Sequence, residues 1–141
     1  MSKNIITSNL KDTDKVKLSY NDKDVEMTIE DFRRESVPYK VWRGLITQTG
    51  TDEPTAIVLE NTLSGDLTWS YNTVGSYGAT LVGEFTEDKT FILTGNVGND
   101  TVVSCNRFSD DVVALKTYDV SSSALTDVRL LNTSIEIKVY E

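Results

Sequence analysis

Nucleophilic catalysis needs a hydroxyl or thiol beside a group that can take its proton, and histidine, which most often does so, is absent from all 141 residues. Cys105 is the only cysteine. It has no imidazole or second thiol to work with, and in the alternation of residues 102–108 it shares a face with Val103, the pattern of a buried, inert thiol. Glycoside hydrolysis requires only two carboxylates, and 22 acidic side chains are present, but their spacing singles out no pair. Asp110-Asp111 and the loop at 95–100 offer oxygen ligands without the D-x-D-x-D-G order of a calcium loop, so they read as solvated turns. Gly75, Gly78 and Gly83 match neither phosphate-binding spacing and have no helix to open. Asn99-Asp100-Thr101 and Asn132-Thr133-Ser134 fit the glycosylation pattern and are expected to be coincidences, since no secretion signal is visible. The expectation is no catalytic residue, no metal and no cofactor.

Aromatic side chains are the other candidates. Trp42, Trp69 and Tyr77, with Tyr71 nearby, could form a flat platform on which a sugar ring stacks, as in carbohydrate-binding modules. The competing reading places Trp69 in the core with Leu67, because large aromatics dominate cores. Trp42 lies opposite the Val41/Leu45 face, which suits packing against the amino-terminal arm or a neighbouring subunit. Tyr20 and Phe32 join it as candidate partner or subunit contacts.

The elements that would position these residues are strands. YKVWRGLITQTGTDEPTAIVLENTL, residues 39–63, reads as two long strands joined by a polar turn bearing Gly50 and Pro54. Tyr39, Val41 and Leu45 fall on one face, Trp42 and Ile46 on the other, so both faces carry bulk. Further apolar runs occur at 67–71, 77–85, 91–93, 102–108, 112–118, 128–131 and 134–140, separated by turn formers every 8 to 14 residues. The last is the cleanest, with Ile135, Ile137 and Val139 alternating against Glu136, Lys138 and Tyr140. Missing crossover helices exclude parallel α/β architectures, leaving an all-β antiparallel β-sandwich of about eight strands over residues 38–141.

Residues 1–37 read as an arm. Val16, Leu18 and Tyr20, then Val25, Met27 and Ile29, alternate around an Asn-Asp turn as a β-hairpin. Thr28 and Asp31 have capping-box spacing, so a short helix is expected over 30–35, ended by Pro38. A lone hairpin is marginal in water, so this arm should dock on the main domain or another subunit.

Length allows a single domain with a self-sufficient core. No apolar run is long enough for a membrane-spanning helix and no secretion signal is visible, which points to synthesis and retention in the cytoplasm. The lone thiol agrees with a reducing compartment. A net charge of −8 repels phosphate backbones and anionic lipid, so neither nucleic acid nor membrane is an expected partner.

Two segments resemble a β module of structural proteins in tailed phages of Bacteroidota, the crAss-like phages and their relatives. They are residues 39–63 and the ending ALTDVRLLNTSIEIKVYE. The middle, LTWSYNTVGSYGATLVGEFTEDKTFI, is similar in its Trp strand, Gly-Tyr turn and Gly-x-Phe-Thr-x-x-Lys-Thr-Phe step. The resemblance covers about 100 residues, excludes the arm and carries no catalytic residue. It implies a virion protein made in the host cytoplasm: a head-fibre or capsid-decoration protein, or an adaptor in a tail or appendage. Expected partners are other capsid or appendage subunits and further copies of the chain. A carbohydrate-binding module for host surface glycans is the alternative.

Overall fold

The structure is a computed structural model that describes residues 14–20, 23–29, 31, 38–95 and 100–141. The chain divides into two compact units, Met1–Pro38 and Tyr39–Glu141. In the first, β1 (Lys15–Tyr20) and β2 (Lys23–Thr28) form an antiparallel hairpin in which Lys15 pairs with Thr28 and Tyr20 with Lys23. Its open end is tied by the Ile29 N–H bonded to the Asp14 carbonyl at 2.8 Å. Thr28 acts as a cap at the end of β2: its hydroxyl accepts from the Asp31 N–H at 3.0 Å and donates to the Asp31 carboxylate at 2.7 Å. The rest of the expected helix over 30–35 lies outside the described residues.

The second unit is an all-β sandwich. One sheet runs β4 (Thr55–Asn61), β3 (Tyr39–Thr47), β10 (Thr133–Tyr140), β7 (Thr90–Thr94). The other runs β5 (Thr68–Thr73), β6 (Ser76–Thr80), β9 (Val112–Asp119), β8 (Thr101–Arg107). Every pairing is antiparallel. The period-2 pattern seen in the sequence sets the layers. Trp42, Ile46, Ile135, Ile137 and Val139 point inward from the first sheet, and Trp69, Tyr77, Ala79, Val113 and Leu115 from the second. The indoles of Trp42 and Trp69 meet at 5.9 Å between centroids, tilted by 54°. Burial of this apolar set dominates the stability of the unit.

One expected strand is shorter than the sequence suggests and another is absent. The run at 77–85 ends as a strand at Thr80; the chain turns through Gly83, at φ +69°, and Phe85 reaches the core from a loop held by its N–H on the Asp110 carbonyl. Residues 128–131 form no strand. Gln48 reaches across from the end of β3 and accepts the Val128 N–H at 2.8 Å, while the Leu130 carbonyl accepts the Gln48 N–H at 3.0 Å. Those backbone groups are thereby satisfied without a ladder. Only Leu130 of that run is buried.

Candidate interaction surface

The sandwich relocates the aromatic candidates. Trp42, expected at a partner contact or under a sugar, is 1% exposed, Tyr77 is fully buried and Trp69 is 8% exposed. The expected platform therefore does not lie on the surface. The reason for Trp42 is steric: on the inner face its indole lies over Gly44, two residues on, where any Cβ would overlap the ring. Tyr20 lies in β1, but its side chain falls outside the described residues, as does Phe32.

The polar chemistry near these rings is occupied in holding loops. The Asp127 carboxylate accepts from the Tyr71 hydroxyl at 3.0 Å, the Tyr77 hydroxyl at 3.1 Å and the Gly75 N–H at 2.6 Å. Burial, reinforced by Asp127, pushes the Tyr77 phenol up to about 12. Gly75 is required twice over, by its φ of +61° and by the Thr117 carbonyl 2.7 Å from where a Cβ would stand. Asp119 accepts from the backbone and hydroxyls of Ser121 and Ser122 and from Arg129. These bonds, the Ser121 hydroxyl first, hold its carboxyl down at about 2.

Glu84 is buried, bridging Lys40 at 3.3 Å and the hydroxyl of Ser64. Asp110 binds Arg107, and Asp111 accepts the Gly83 N–H at 2.7 Å. Among the described residues no three His, Cys, Asp or Glu side chains converge as a metal ion would need. Cys105 packs against the core, and desolvation pushes its thiol up to about 12, leaving essentially no thiolate at neutral pH.

The surface that stands out is the outer face of the β4-β3-β10-β7 sheet. Arg43 sits at its centre and binds Glu60 across one strand gap and Glu136 across the other. Glu136 also takes Lys138 at 2.9 Å, and Lys138 lies 5.0 Å over the Tyr39 ring, itself 5.3 Å from Tyr140. The two cations hold the Glu136 carboxyl below its usual range, Lys138 first. This charged row is flanked by apolar side chains that the fold leaves uncovered: Ile57 at 59% exposure, Leu59 at 65%, Phe91 at 47% and Leu93 at 51%. Between Leu59 and Leu93 runs a groove of about 400 Å³, floored by the small residues Gly44, Gly95 and Ser134.

A β-bulge shapes one side of this face. Arg43 pairs with Glu60 and Gly44 with Val58, so Leu59 is the extra residue. Two consecutive side chains of β4 then turn the same way, which brings Leu59 to the outer face beside the Glu60 that reaches Arg43. The sequence signal for this surface is the unbroken triplet Ile57-Val58-Leu59. Alternation would have buried one face and wetted the other; three adjacent exposed apolar residues leave neither polar.

No family model matches the chain, and no curated protein or solved structure matches it.

Proposed function

We propose that this protein is a non-enzymatic structural component of a phage particle that assembles through the outer face of the β4-β3-β10-β7 sheet. The observation that carries the reading is the pairing of that exposed apolar surface with a fixed ladder of charges. Apolar area gives a contact its free energy, while a row of paired charges selects orientation and partner. The resemblance of residues 39–63 and of the carboxy-terminal segment to a module of phage structural proteins supplies the setting, with capsid or appendage subunits as partners. Nothing in this reading requires bond-making groups, in keeping with the lack of histidine and with a thiol that stays protonated. The carbohydrate-binding reading loses support, since Trp42, Trp69 and Tyr77 are all packed in the core. Quantitative mass spectrometry of purified particles tests the proposal: the chain is expected in a fixed copy ratio to the shell protein, and its absence from intact particles contradicts the assignment.

A further inference from the structure

Resting on that reading, the edge at β4, which no strand pairs among the described residues, identifies one of the partners. In an antiparallel sheet successive residues turn their N–H and C=O alternately to one neighbour and the other. The Gln48 N–H goes to Leu130, on the β10 side, and the Val41 carbonyl accepts the Thr62 N–H on the β4 side. Even-numbered residues of β3 therefore bond toward β10, and odd-numbered ones toward β4. Leu45 and Thr47 pair with Ile57 and Thr55, so those two residues of β4 are bonded inward. Ala56 and Val58, opposite Ile46 and Gly44, turn their N–H and C=O groups outward, to the open side of the sheet.

The bulge then limits how far that open ladder runs. Beyond Leu59 the alternation resets, since Glu60 pairs with Arg43 and faces inward again. On the other side Pro54 has no N–H to give. A strand docking here meets a window of five residues, Thr55 to Leu59, whose free groups sit symmetrically on either side of Ile57. We propose that this window is filled by the same window of a second copy, antiparallel about a two-fold axis through Ile57, fusing two four-stranded sheets into one continuous sheet.

Symmetry makes the match complete. Ala56 of each copy exchanges both backbone hydrogen bonds with Val58 of the other, so no free group of the window is left over. Ile57 faces its own counterpart, and Leu59 faces Thr55, which extends the apolar surface across the junction. No carboxylate meets another directly: Glu60, already held by Arg43, falls opposite Pro54, and Glu53 opposite Asn61. The other edges suit this less. β7 lies beside β8 of the second sheet, and β5, TWSYNT, has Trp69 turned into the core and polar Thr68, Ser70, Asn72 and Thr73 along the rest apart from Tyr71. A long apolar edge without lysine or proline inside it is also the kind that a stable protein keeps covered.

Sedimentation of the full chain over a concentration range, with two variants, decides the matter. Wild type is expected to approach twice the 15.7 kDa chain mass as concentration rises. Val58→Pro removes an N–H that faces away from β3, so the sandwich keeps its ladder and its melting temperature while the mass stays at that of one chain. Ile57→Cys places two thiols in a non-hydrogen-bonded pair about 4.5 Å apart between Cα atoms, within disulfide range, and is expected to cross-link covalently under mild oxidation. A wild-type protein that stays monomeric overturns the proposal. So does a Val58→Pro chain that still dimerises, or an Ile57→Cys chain that fails to cross-link. Slow amide exchange at Ala56 and Val58 in a monomer would mean that the chain's own arm covers the edge, which also overturns it. Each of these failures leaves the particle assignment standing, because incorporation into particles is read separately.

Discussion

Gly44 shows how much one missing methyl decides. A Cβ there would overlap the Trp42 indole and lie 2.9 Å from the Ile57 carbonyl oxygen, a backbone atom that cannot swing aside. Gly44→Ala is therefore expected to destabilise the sandwich by about 1–3 kcal/mol, lowering the melting temperature by several degrees in a thermal scan read by tryptophan fluorescence. The same contact explains why Trp42 is legible in the sequence as a strand residue but not as a core residue. In YKVWRGLIT both faces carry bulk, and alternation alone cannot say which is inner. A large side chain with glycine two residues on is the available clue, because only that face leaves room for the ring. Val41 adds to the ambiguity, being buried on the outer side while Trp42 is buried on the inner. Cys105 is easier to place: its alternation with Val103 puts it against the core, where it lies.

Among the elements, the strands are legible wherever apolar residues alternate between turn formers, as along β9 and β10, whose inward positions match the sequence pattern from end to end. The run at 128–131 reads as a strand because Val128, Leu130 and Leu131 are apolar. What overrides that preference is Gln48, whose side-chain carbonyl takes the Val128 N–H and whose own N–H goes to the Leu130 carbonyl, so that the groups a ladder would have used are already engaged. Val128 shows the cost. It is exposed and adopts φ of +60°, a conformation that penalises a β-branched residue. Val128→Gly is expected to raise stability by about 0.5–1 kcal/mol, since the relief of αL strain exceeds the entropy that glycine adds to the unfolded chain. Denaturant titration measures it, and a loss of stability would show that Val128 contributes packing there. The bulge at Leu59 is invisible in the sequence, because the residue it adds is as apolar as the Ile57-Val58 that precedes it and only lengthens that run.

For the molecule as a whole, charge sets the pH range of stability. Asp119 titrates at about 2 in the folded protein, below the ordinary aspartate value of about 3.9. Its hydrogen bonds therefore stabilise the fold fully above about pH 4, and that stability is lost as pH falls toward 2. The Tyr77 phenol, raised to about 12, works in the opposite direction: its contribution is whole below about pH 10 and is lost as pH climbs to 12. Asp119→Asn is expected to flatten the acid limb of a melting-temperature profile between pH 4 and 2 while leaving the alkaline limb unchanged; an unaltered acid limb would contradict the assignment. On the proposed reading, the molecule works by presenting a shaped, partly apolar sheet to other subunits. The most direct test of that reading is incorporation of a Leu59→Lys, Leu93→Lys double variant into particles, measured against wild type supplied in the same cells. Both side chains are on the surface and edge strands tolerate lysine, so the isolated variant should melt as the wild type does. The account predicts that it is largely missing from purified particles; a variant retained at wild-type copy number would contradict it.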